Sequence, residues 1–209
     1  MSYSSLYGIN KKYMGEELYE YKNSWFFSPV IWGILADKYL PRQNGLIQNV
    51  IGFNGNEVWS KINNIMNNSN NTPDRICWEM SNQQIFFTKD KKCIVDNIHN
   101  FIKNNNKYDK NEEDNISILE REHILERFNM IANDILSLNE NEYPYFVFKN
   151  TSCDDNVEYW FRKYNEETDE YVDKSLKDWN KPIVEFVVIE DDKIVKFINN
   201  LNYKFLEVE

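Results

Sequence analysis

The sequence predicts an α+β protein, with an antiparallel or mixed sheet packed against about four to five helices. Three observations predict this. Apolar residues recur at the helical period over 56–66, 91–103 and 117–137. Runs rich in β-branched and aromatic residues at 145–149 and 183–189 read as strands. Hairpin patterns outnumber clean strand–helix–strand units, which argues against a doubly wound parallel sheet.

Taken in order, residues 4–9 read as a short strand. A helix follows over 29–40, with Ser28 as N-cap, Pro29 at its first position and Pro41 as its stop. Val30, Ile31, Ile34 and Leu35 share one face of it. A second helix spans 56–66, capped by Asn56, with Val58, Trp59, Ile62, Ile65 and Met66 as its buried stripe. Residues 67–74 read as a polar loop, and 76–80 with 84–88 as a hairpin turning near Ser81-Asn82. Ile94, Val95, Ile98, Phe101 and Ile102 define a helix over 91–103.

The stretch 104–115 is polar and charged. It is a candidate boundary between an α+β region at 1–104 and an acidic α+β region at 116–209, or a loop at 105–115 within a single domain. The longest helix covers 117–137, with Ile124, Phe128, Ile131, Ile135 and Leu138 turned inward. Beyond the strand at 145–149, segments 159–163 and 171–173 flank Asn165–Glu170 as a hairpin. Residues 183–189 read as a strand, 192–201 as a helix and 203–208 as a last edge strand. Segments 85–102 and 184–201 echo each other as strand, charged turn and amphipathic helix.

With 42% hydrophobic and 15% aromatic residues, the 209-residue chain has material for a sizeable core. Its longest apolar cluster, 25–35, is interrupted by Ser28, Pro29 and Gly33 and falls short of a bilayer span. The first five residues lack a basic and then apolar leader pattern. Cys77, Cys93 and Cys153 are odd in number and widely spaced, as in a reducing compartment. A cytoplasmic location, with no membrane partner, is expected.

Catalytic signatures are weak. His99 and His123 each pair with a carboxylate three residues earlier, Asp96 and Glu120, but no H-E-x-x-H or C-x-x-C gathers metal ligands. Cys77 and Cys93 lie in apolar settings, and Asp154-Asp155 beside Cys153 disfavour a thiolate. Gly52-x-x-Gly55 lacks the Lys-Ser/Thr of a phosphate loop and reads as a turn. Among 34 acidic residues no catalytic dyad stands out. No catalytic residue, metal or cofactor is therefore expected.

Charge is the most directive feature. The net charge is −10, and residues 105–209 carry 13 basic and 25 acidic residues. This disfavours direct binding of nucleic acid, which needs clustered Lys and Arg, and suits a basic protein surface; the alternative is that the acidity serves only to keep the protein soluble. Between Asp154 and Asp178 nine acids are interleaved with aromatics. Asp154, Asp155, Glu166, Glu167, Asp169 and Glu170, with Trp160 and Tyr164 as anchors, are the predicted partner-binding residues. The alternative for such residues is an amphipathic hairpin whose aromatics face the core.

The N-terminal block Leu6-Tyr7-Gly8-Ile9, then Asn23-Ser24-Trp25-Phe26-Phe27-Ser28-Pro29, then Asp37-Lys38-Tyr39, resembles small phage and mobile-element proteins of low-GC Gram-positive bacteria, a pool that includes anti-CRISPR inhibitors. The resemblance covers about the first 40 residues. It implies a phage-encoded inhibitor that binds a CRISPR effector at a nucleic-acid channel, in a bacterial cytoplasm; the acidic cluster, read by itself, adds carboxylates that imitate DNA phosphates towards a basic, nucleic-acid-binding protein. The competing readings are an enzyme with a metal-dependent carboxylate site, such as a nuclease or other hydrolase, and an immunity-type binding module.

Overall fold

The computed structural model describes residues 3–40, 55–111, 113–151 and 158–205. Its strands are β1 (Tyr3–Ile9), β2 (Gly15–Lys22), β3 (Ile85–Phe87), β4 (Tyr145–Thr151), β5 (Arg162–Asn165), β6 (Glu170–Asp173), β7 (Glu185–Glu190) and β8 (Lys193–Asn199). Among the described residues five helices longer than a single turn accompany them: α1 (Ser28–Tyr39), α2 (Gly55–Asn67), α3 (Thr72–Ser81), α4 (Lys91–Asn105) and α5 (Glu122–Ser137). Six strands form one sheet in the order β2-β1-β4-β3-β7-β8, and β5 pairs with β6 in a separate ribbon. The fold is α+β with a mixed sheet, since β3 and β7 run parallel and the other pairs antiparallel.

Strand alternation divides the interior into two layers. In β4, Phe146 and Phe148 point to the helix side, while Tyr145 and Val147 point to the other. The helix side is the larger core, built on residues such as Phe27, Ile31, Trp78, Ile98, Phe128 and Ile135. The opposite face carries an aromatic cluster of Tyr13, Tyr145, Phe161, Phe186 and Tyr203. There Phe186 stacks on Tyr203 at 3.9 Å, and the Tyr145 and Tyr203 hydroxyls meet at 2.8 Å. The sheet takes strands from both sides of the 105–115 stretch, with β4 lying between β1 and β3.

Several sequence expectations change. The predicted hairpin at 76–88 is helix α3 followed by the short strand β3. Asn71 caps α3 by accepting from the Asp74 amide, and Pro73 occupies its first turn, so Ile76, Cys77 and Met80 form a helical stripe. The predicted helix at 192–201 is β8. Asp191 and Asp192 both take positive φ, 48° and 58°, and Glu190 pairs with Lys193, so the two aspartates form a tight two-residue hairpin turn. The echo between 85–102 and 184–201 therefore has no structural counterpart. The sequence pattern does not predict β2, because Glu16, Glu17 and Glu20 hide the alternation of this edge strand.

Smaller differences have local causes. Ser28 lies inside α1, buried, and donates to Asn150 Oδ1 at 2.9 Å instead of capping. Leu40, in extended conformation, ends α1, and Pro41 lies outside the described residues. Trp59 is 44% exposed, its indole nitrogen donating to Asn82 Oδ1 at 2.9 Å, so α2 buries mainly Ile62 and Met66. The predicted helix at 117–137 begins as a 3-10 turn, Ile118–Glu120, closed by a Ser117–Glu120 capping box, and α5 follows. The predicted strand at 159–163 is a helical turn, Glu158–Phe161, leading into β5. Residues 203–205 are not a strand, and 206–209 lie outside the described residues.

Candidate functional site

The ribbon β5–β6 carries five of the eight sequence-predicted partner-binding residues: Tyr164, Glu166, Glu167, Asp169 and Glu170. Arg162 pairs with Asp173, Lys163 with Val172, Tyr164 with Tyr171 and Asn165 with Glu170. Since strand residues alternate in direction, Arg162, Tyr164, Tyr171 and Asp173 share one face, and Lys163, Asn165, Glu170 and Val172 the other. Among the described residues neither face is covered: seven of the eight strand residues are exposed and Asn165 is half-buried. A two-stranded ribbon in water is marginal by itself, so its base matters.

That base is built from aromatic rings and lysines. The Lys174 amide donates to the Phe161 carbonyl at 2.6 Å and closes the ribbon's open end. Trp179 donates its indole N–H to the Trp160 carbonyl at 2.9 Å. Lys174 Nζ sits 3.6 Å from the centre of the Trp179 ring, and Lys149 Nζ 3.4 Å from that of Trp160. Phe161 packs on Gly15, where a Cβ would fall within its ring, so only glycine admits this approach. Gly15 opens β2, and the ribbon is thereby rooted on the sheet's edge.

At the tip, a four-residue loop, 166–169, joins the strands, with Asp169 at φ 56°. The Asn165 side chain accepts from the Glu167 amide at 3.0 Å, and Tyr164 donates its hydroxyl to Asp169. Tyr164 and Tyr171 meet edge to face at 5.3 Å. Lys163, Tyr164, Asn165, Glu166, Glu167 and Val172 line an open concavity of about 490 Å³. Across 162–173 two basic residues face five acidic ones.

The predicted residues thus separate. Glu166, Glu167, Asp169, Glu170 and Tyr164 lie together on the ribbon, all exposed. Trp160 is half-buried at the base, with its carbonyl and ring already engaged. Asp154 and Asp155 lie outside the described residues. Tyr171 and Val172, at 47% and 42% exposure, belong to the same surface; their opposition to Tyr164 and Lys163 appears once the loop length sets the register.

The remaining groups considered for chemistry are dispersed. Among the described residues no group of three or more His, Cys, Asp and Glu side chains is placed to hold a metal ion. Burial pushes the Cys77 thiol well up and the Cys93 thiol to about 11, the latter helped by hydrogen bonding to Asp192. His123 packs edge-on against Phe26 at 4.9 Å. Among the described residues no helix is long and apolar enough to cross a membrane. No family model, curated protein or solved structure matches the chain.

Proposed function

We propose that this chain is a binding protein without catalytic activity, an inhibitor that engages a basic, nucleic-acid-handling protein through the β5–β6 ribbon. The observation that supports this reading is the ribbon itself, which leaves Tyr164, Tyr171 and Val172 in water among five carboxylates. Solvent-exposed rings on a ribbon gain stabilisation when a partner covers them. Carboxylates around them steer a Lys- or Arg-rich surface into place, a role suited to the excess acidity of the C-terminal half. The resemblance of the N-terminal block makes a CRISPR effector the specific candidate partner.

The test is affinity capture from bacterial lysate at low and high salt, with the retained proteins identified by mass spectrometry. The reading expects a nucleic-acid-binding protein that is released by high salt and by competing DNA. The same capture with Glu166→Lys, Glu167→Lys and Glu170→Lys combined should lose it. Failure to retain any basic protein at low salt overturns the proposal.

A further inference from the structure

The α3 helix carries a polar stripe that the ribbon does not use. Arg75, Glu79 and Asn82, spaced four and three residues apart, recur along one side of the helix and the residue that ends it. Each holds a buried atom without a hydrogen-bond partner: Arg75 Nε, Glu79 Oε1 and Asn82 Nδ2. Such atoms are uncommon in folded proteins and call for a physical reason. Glu79 is only 3% exposed.

The stripe borders the β7–β8 hairpin. Arg75 Nη1 donates to the Ile194 carbonyl of β8 at 3.1 Å, and its guanidinium lies 5.9 Å from the centre of the Phe197 ring. Gln84 ties the end of α3 to β7: its amide donates to the Glu79 carbonyl at 3.1 Å, and its side chain accepts from the Glu185 amide at 3.0 Å. The charged groups acting on the Glu79 carboxyl are Arg75 from its own helix and Glu185 from β7. β8 offers the Ile194 carbonyl and the Phe197 ring in this region.

We propose that Glu79 is a proton-operated latch between α3 and the β7–β8 hairpin. Neutral, it leaves Arg75 bound to the Ile194 carbonyl. Ionised, it becomes a buried charge that requires a partner. Arg75, one turn away with Nε already unpaired, is the cation within reach. Drawing the guanidinium towards Glu79 competes with the hold of its Nη1 on the Ile194 carbonyl, and the new charge repels Glu185. Both effects loosen the hairpin from the helix. Burial, the largest influence, pushes the carboxyl up to about 8, with Arg75 opposing and Glu185 adding, which places the change near neutral pH.

The experiment is residue-resolved amide hydrogen exchange on the full chain from about pH 6.5 to about pH 9.5, corrected for the intrinsic base-catalysed rate. Protection of the β8 amides is expected to fall by about tenfold more across that range than that of β1 and β4, which follow only the loss of global stability. Glu79→Gln should abolish the fall. Glu185→Gln, which removes the repelling charge, should move the transition to lower pH. β8 protection that falls no further than that of β1 and β4 in the native chain overturns the proposal. So does a fall that persists in Glu79→Gln or one that Glu185→Gln leaves at the same pH.

Discussion

Asp74 is fully buried and accepts from three side chains: Lys38 Nζ at 2.6 Å, the Tyr39 hydroxyl at 2.6 Å and Asn105 Nδ2 at 2.9 Å. Burial and this carboxylate push the Tyr39 hydroxyl up. The cluster joins α1, α3 and α4, and its worth lies in being complete. Asp74→Ala should cost about 3–5 kcal/mol, read as a lowered urea midpoint, because the largely buried Lys38 loses its counter-charge and keeps only the neutral Asn105 Oδ1 as acceptor. Lys38→Met with Asp74→Leu should cost less than the single change, since no charge is then stranded. Glu79 presents the opposite case, a buried carboxyl raised from 4.5 to about 8. Between those values the unfolded chain has released its proton while the folded chain keeps it. The folded state therefore binds more protons, and stability falls as pH rises through this window. The contribution is fully present below about pH 4.5 and gone above about pH 8. Glu79→Gln should flatten this slope and exceed the native chain at pH 9 by on the order of a few kcal/mol, checked by urea unfolding at pH 5, 7 and 9. Neither site was legible in the sequence. Asp74 sat in a predicted loop, and Glu79 in a predicted strand where alternation would have turned it outward.

At the scale of elements, legibility tracked the length and regularity of the pattern. α4 and α5 carry apolar residues over four turns each and were readable to within a few residues. α3 and β8 were not. Ile76, Cys77 and Met80 fit a short strand as readily as a helical stripe, and the decisive signal was the cap, Asn71 with Pro73, five to three residues upstream of Ile76. In 192–201, Ile194, Phe197 and Ile198 follow helical spacing, yet a bulge between Val188 and Ile189 shifts the strand register instead. The aspartate pair set the outcome, because a two-residue turn returns the chain as an antiparallel partner of β7. Two L-residues in the left-handed region carry a steric cost that Asn and Gly reduce. Asp191→Asn with Asp192→Gly should therefore stabilise the protein by about 1 kcal/mol, a rise in melting temperature of roughly 2–4 °C.

For the molecule as a whole, the question is whether the ribbon is part of the scaffold or an appendage to it. The six-stranded sheet closes without β5 and β6, and the main core draws on neither. The aromatic layer on the other face takes Phe161 and Leu176, which flank the ribbon, but none of its strand residues. Phe161 and Lys174 are already joined by a 2.6 Å backbone hydrogen bond, so their ends are close enough for a short turn to replace what lies between. The acidic pattern and the turn were legible in the sequence here because a polar loop between aromatic runs is a local signal, but the first strand was placed three residues early, over the helical turn Glu158–Phe161; the exposure of both faces was not legible, since it depends on what the rest of the chain fails to cover. Replacing residues 162–173 with a four-residue Gly- and Asn-containing turn should leave the thermal midpoint within a few degrees of the native value. It should also abolish salt-sensitive capture of the basic partner. A shortened chain that unfolds would make the ribbon structural and its acidity incidental; one that folds and still binds would move the interface to another surface. Folding retained with binding lost is the outcome that a rooted, dispensable and exposed ribbon predicts.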